Sequence, residues 1–214
     1  MLERLAPDLI VTQELCSVCA VSYDIVDRAA RRLGSDPHIV SLEPSSLDDV
    51  FATIAFLGEL TSREAEATAL VRGLRDRVAR LKSTAAPNRP TVLVLEWTEP
   101  PMSAGHWTPG LIELAGGTPL LAHPGQNSRA LAWDDIVAAD PAHIVVGPCG
   151  YDLEKTRDAI DELARSVPQW SALRAVQNGS VHPIDGNAYM NRPGPRLVDT
   201  AELIRDALLA AETR

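Results

Sequence analysis

The chain has 214 residues, of which 45% are hydrophobic, 23% charged and 4% aromatic, and 20 basic against 29 acidic residues give a formal net charge of -9. These proportions are those of a globular chain and exclude a disordered, collagenous or membrane-embedded one. The acidic balance, with no Lys/Arg block to track phosphates, excludes nucleic acid as a partner, while the length allows one domain or two modest lobes.

The N-terminal run from Met1 to Val11 has neither a charged segment leading into an apolar one nor a small-residue cleavage site. No apolar run reaches spanning length, so as given the chain reads as soluble and without a secretion signal.

Leu9 to Val11, introduced by Pro7 and Asp8, reads as a short strand, and residues 18–33 carry apolar positions at helical spacing up to Gly34. Residues 38–42 read as a second buried strand. Ser45-Ser46 followed by Asp48-Asp49 caps a helix running to about Leu60. Residues 62–84 lack proline and hold one glycine, with Ala65, Ala69, Leu70, Leu74, Val78 and Leu81 at helical spacing. One helix of that length spans on the order of 30 Å, enough to bridge two lobes. Two prolines and an asparagine in residues 85–90 break the chain, which places a boundary near residue 90.

Beyond it the same grammar repeats. A strand at 91–95 leads into a Pro/Gly-rich loop, a helix at 109–115 stopped by Gly116-Gly117, a helix at 133–139 and a strand at 143–146. A helix at 154–164, a strand at 180–184 and a final helix from about 197 to 211 complete an α/β chain. Pro7 before Leu9-Ile10-Val11 is echoed by Pro141 before His143-Ile144-Val145-Val146, and each strand runs into a cysteine-containing loop. The echo suits two related lobes, the alternative being that such phrases are common α/β vocabulary.

Ligands of open α/β sheets collect beyond the carboxyl ends of the strands, and Cys16, Cys19, Trp97 and Cys149 all lie near such ends. Residues 96–107 follow a buried strand and are too proline-rich to be helical, so they read as an ordered loop exposing Trp97, His106 and Trp107. Two indoles and an imidazole there make a flat wall for a large planar or cationic ligand, or else plug the end of the sheet. Cys16 and Cys19 form a C-x-x-C at a strand-to-helix junction, where a helix N-terminus lowers a thiol pKa. A thiol redox protein is therefore an alternative, as is zinc held with Cys149 and His106. Residues 187–196 form a second polar loop, with Tyr189 and Arg192 able to face the same cleft. No phosphate-binding glycine loop, nucleophile elbow or H-E-x-x-H motif occurs, and no enzyme is expected.

Three stretches together carry a resemblance. They are Pro7 to Gln13 with Cys16 and Cys19, Trp97 to Trp107 leading into Leu111 to Gly117, and Arg192-Pro193-Gly194-Pro195-Arg196. In order and spacing they resemble the cobalamin-binding and iron-siderophore-binding proteins of ABC importers. The resemblance implies an α/β fold of two Rossmann-like lobes with central, mostly parallel sheets joined by one long helix. The lobes would be residues 1–61 and 86–214, with the helix at 62–85. Ligand would sit between them against Gln13, Cys16 and Cys19 from the first lobe and Trp97, Gly105, His106, Trp107, Tyr189 and Arg192 from the second. Cys149, Gly150 and Tyr151 fall on the loop that mirrors the first.

The resemblance further implies docking onto an ABC transporter permease through Glu3 and Asp134, an extracytoplasmic location and no resident cofactor. Compared with the family, the chain begins one strand late, which would leave a sheet edge able to support a homodimer. One arginine and two tryptophans suit a corrinoid better than an anionic ferric siderophore, with haem a further alternative. His106 is a candidate axial ligand to cobalt.

Overall fold

A computed structural model of the chain describes residues 2–13, 23–31, 37–83 and 88–212. They divide into two compact units, Met1–Pro44 and Ser45–Arg214.

The first unit contains α1 (Leu2–Leu5), β1 (Leu9–Thr12), α2 (Tyr23–Arg31) and β2 (His38–Ser41). The two strands are parallel, with Leu9 opposite His38 and Thr12 opposite Ser41. Parallel neighbours need a crossover, and α2 lies in it. Main-chain bonds extend the ladder at both ends, His38 N–H to Asp8 O at 2.8 Å and Leu42 N–H to Thr12 O at 2.9 Å. The helix read at 18–33 is seen as Tyr23–Arg31, its outer positions lying outside the described residues.

The second unit opens with α3 (Leu47–Leu60), whose start is the capping box expected from the sequence. Ser46 Oγ accepts the Asp49 N–H at 3.1 Å, and the Asp49 carboxylate accepts the Ser46 N–H at 2.9 Å. A turn through Ser62, in the left-handed region at φ 55°, leads to α4 (Glu64–Ser83). The long helix therefore starts two residues later than its periodicity suggests, because Ser62 belongs to the turn and Arg63 N–H bonds back to Gly58 O at 2.7 Å. α3 and α4 pack closely, for a Cβ on Gly58 would stand 2.5 Å from Ala67 Cβ.

β3 (Thr91–Thr98) and β4 (Pro101–Ser103) form a hairpin, followed by α5 (Thr108–Ala115), β5 (Thr118–Pro119) and β6 (Arg129–Ala130). Then come α6 (Trp133–Ala139), β7 (His143–Val146), α7 (Leu153–Ser166), a 3-10 turn at Trp170–Ala172 and α8 (Arg174–Gln177). β8 (Val181–Pro183), a π-helical turn at Gly186–Met190 and α9 (Leu197–Glu212) complete the unit. The sheet order is β6-β4-β3-β7-β8, with β5 also on β3. β3, β7 and β8 are parallel, whereas β4 runs antiparallel between β3 and β6.

Alternate residues of β3 point to opposite faces, as strand geometry requires. Val92 and Val94 join Val145, Ile112, Ile204 and Leu208 under α5 and α9. Leu93 and Leu95 join Ile144, Ile136, Leu163 and Trp170 under α6 and α7. The result is a three-layer α/β/α unit. Phe51, Leu74 and Val198 form a third cluster that holds α3 and α4 to α9. Arg77 on α4 adds ion pairs to Asp199 and Glu202 on α9.

Two loop assignments change. Residues 96–107, read as a loop, carry the end of β3 and all of β4, because backbone pairing across the hairpin overrides the local effect of Pro100 and Pro101. The polar loop at 187–196 begins inside the π-helical turn, where Asp185 accepts the Ala188 N–H at 2.7 Å.

Candidate functional site

The parallel strands of the second unit all point the same way, so the segments after β3, β7 and β8 gather along one edge of the sheet. Most residues expected of a ligand wall are in those segments. Trp97 is half-buried and meets Tyr151 edge to face, with ring centroids 5.4 Å apart and planes at 65°. Its indole N–H donates to Glu99 O at 3.0 Å, which fixes the ring over the hairpin.

Cys149 and Gly150 are exposed in the loop after β7, which is tied to β3 by the Cys149 N–H on Glu96 O at 3.1 Å. Gly150 has φ 78° with open space where a Cβ would stand. Tyr151 O in turn accepts the Asn187 N–H at 3.0 Å. Arg192 donates through Nε to Asn187 O at 3.1 Å and through Nη2 to Asn187 Oδ1 at 2.7 Å. Trp97, Tyr151, Asn187 and Arg192 are thus one connected chain of contacts. Tyr189 is half-buried beside the core under α9, with Arg196 6.0 Å from its ring centroid.

Trp107 differs from its expected exposure. It is 8% exposed and donates its indole N–H to Met190 O at 3.0 Å, so it props the loop that carries Arg192 from below. His106 takes φ 50°, and its main chain is pinned by Gln126 O at 2.6 Å and Gly125 N–H at 3.0 Å. Asn127 bonds its imidazole, while its Nε2 is buried with no partner. Burial holds the His106 pKa below the usual imidazole value. Gly105 is obligatory at its place, for a Cβ there would collide with the main chain of residues 126–128.

Glu96 was missed by sequence reading. Its carboxyl is half-buried, and burial raises its pKa against the opposing hydrogen bond from Ser128. The only sequence signal was an acid closing an apolar strand, which reads equally well as a strand boundary.

Gln13 follows β1 in the first unit, Glu3 lies in α1, and Cys16 and Cys19 lie outside the described residues. Asp134 is exposed in the first turn of α6. Among the described residues no group of three or more His, Cys, Asp or Glu is placed to hold a metal ion, and no helix is long and apolar enough to cross a membrane.

Comparison with known proteins gives this arrangement a context. A cobalamin-binding protein of Halobacterium salinarum is 30% identical over 164 residues, 72% of this chain and 42% of the relative. The chain therefore spans less than half the length of that relative. The vitamin B12 binding protein BtuF of Vibrio cholerae superposes with a TM-score of 0.72 at 21% identity, over 99% of this chain and 77% of that one. The heme-binding protein RhuT from Roseiflexus sp. RS-1 gives 0.72 at 22% identity, over 95% and 78%. At these identities the likeness is one of fold. Residues 2–188 match the family described as periplasmic binding protein, and the chain belongs to that family.

Proposed function

We propose that this chain is the ligand-binding part of the substrate-binding component of an ABC-type importer, and that its ligand is a corrinoid. The lobes in this reading are residues 1–61 and 86–214, joined by the helix at 62–85. Gln13, Cys16 and Cys19 supply one wall in this reading, and Trp97, His106, Cys149, Gly150, Tyr151, Tyr189 and Arg192 the other, with Gly105 and Trp107 buried behind it as support. Glu3 and Asp134 dock the permease on the extracytoplasmic face of the membrane.

The observation that carries the reading is the aromatic pair Trp97 and Tyr151 at the carboxyl ends of β3 and β7, beside an arginine already engaged by Asn187. An aromatic surface with polar groups beside it suits a corrin, which is large, partly apolar and edged with amides. An anionic chelate calls instead for unengaged guanidinium donors. The Halobacterium relative's name points to the same ligand class. The heme-binding neighbour supports haem as the alternative chelate, on fold alone.

The test is a tryptophan-fluorescence titration with cobalamin, with haem and a ferric siderophore in parallel and correction for ligand absorbance. Saturable quenching by cobalamin, lost in Trp97→Ala at unchanged circular dichroism, is expected. Binding of haem or siderophore but not cobalamin overturns the corrinoid reading, and unchanged affinity in Trp97→Ala overturns the site.

A further inference from the structure

The edge of the sheet carries one acid whose placement the aromatic wall does not explain. Leu95 pairs with Ser103 and Trp97 with Met102, so Glu96 is the extra residue of a β-bulge in β3. Bulges re-aim a side chain and recur beside binding sites. The Glu96 main chain is fixed by the Cys149 N–H on its carbonyl. Its carboxyl meets the Ser128 hydroxyl, and Ser128 Oγ itself accepts the Gly105 N–H at 3.1 Å. A hydroxyl has one proton to give, so Ser128 can satisfy at most one acceptor position of a group with about four.

Of the other acids after these strands, Glu99 is exposed in the hairpin turn, and the acids that open the loops after β7 and β8 are consumed locally. Asp152 accepts the Lys155 N–H at 2.9 Å and Asp185 the Ala188 N–H at 2.7 Å, each capping a helical turn. The nearby cation, Arg192, is turned onto Asn187. Beside the same segment, His106 Nε2 is buried without a hydrogen-bond partner. The edge therefore holds a carboxyl in want of donors, and Arg192 is occupied.

We infer that Glu96 sets the ligand class at this edge: its bulge-aimed carboxyl, steadied by Ser128, accepts N–H groups from a chelate edged with carboxamides and rejects one edged with carboxylates. This deepens the corrinoid reading and rests on it. An amide brings the donors that the carboxyl lacks, while a ligand carboxylate brings more acceptors and a like charge, so discrimination comes from repulsion as well as attraction. One such contact separates the two ligands by roughly 10- to 100-fold.

The test keeps the macrocycle and changes only its edge. Dicyanocobinamide, which carries carboxamides, is compared with dicyanocobyrinic acid, which carries carboxylic acids, by fluorescence titration of the full chain at neutral pH. The wild type should prefer the amide ligand by about tenfold or more. In Glu96→Gln, a near-isosteric change, the preference should fall below about threefold, mostly through tighter binding of the acid. Glu96→Asp keeps the charge and should keep the preference. Loss of preference in both variants, or in neither, overturns the role of Glu96, as does a wild-type ratio near one. Failure of the wild type to bind either corrinoid overturns the corrinoid reading itself, and the two failures are thereby distinguished.

Discussion

Glu96 and His106 are both held toward their neutral forms by burial, and the consequences for stability have opposite signs with pH. For Glu96 the folded pKa lies above the unfolded one. Its contribution is therefore complete below the ordinary carboxylate range and is lost as pH rises through the raised folded value. Glu96→Gln removes that loss, so the variant should be more stable than wild type at neutral pH and equal to it in acid, as read by urea denaturation at several pH values. His106 has a lowered folded pKa, so its penalty appears only as pH falls below the ordinary imidazole value. Trp107 is a structural test of the same region. Trp107→Ala empties a buried volume and strands Met190 O, and should cost about 3–5 kcal/mol in chemical denaturation. Trp97→Ala, at a half-buried position, should cost far less and so reports on binding without loss of fold.

At the scale of elements, the join of α3, α4 and α9 rests on a cap, a small core and a charge cluster. Ser46→Ala removes the acceptor for the Asp49 N–H and should lower stability by about 1 kcal/mol. Arg77→Met keeps the aliphatic stem and drops the guanidinium that meets Asp199 and Glu202. The pairs are partly exposed, so the loss should be about 1 kcal/mol and should shrink in high salt. Arg77 holds the Glu202 pKa below the ordinary value. That part of the stability is present above the unfolded pKa and lost as pH falls through the lowered folded one, so wild type and variant should converge in acid.

The helix at Trp133–Ala139 and the strand at His143–Val146 were legible in the sequence at their observed bounds, because an acidic first turn and a β-branched run behind Pro141 are local signals. The hairpin was not, since the pairing of Trp97 with Met102 is set across the turn and two prolines hide the strand from a local reading. β5 and β6 are two residues each, too short for any periodicity to show. That Trp97 lies at the end of one strand and that Tyr151 and Tyr189 follow two others was legible because those strands were read in place, whereas the contact of Trp97 with Tyr151 was not. Glu96 was not, because a bulge is invisible until its partner strand is known.

For the whole molecule, a ligand that binds only the folded state stabilises it by mass action, about 2.7 kcal/mol at 100 times Kd. For a chain of this length that amounts to a rise in Tm of roughly 5–10 °C. Scanning calorimetry with saturating cobalamin should show such a rise, and its absence would count against corrinoid binding.

Two glycines give the site a further property. At Gly105 the hairpin exit touches the main chain of residues 126–128, and at Gly186 the turn after β8 touches the carbonyls of Gly147 and Pro148. These are seams where backbone meets backbone with no side chain between. A lineage that drifts toward a new ligand can exchange the residues hung on either side of a seam, but it cannot widen the seam without shifting both strands of the join. Gly105→Ala and Gly186→Ala should therefore damage binding of every ligand alike, where changes at Glu96 or Trp97 re-rank one ligand against another.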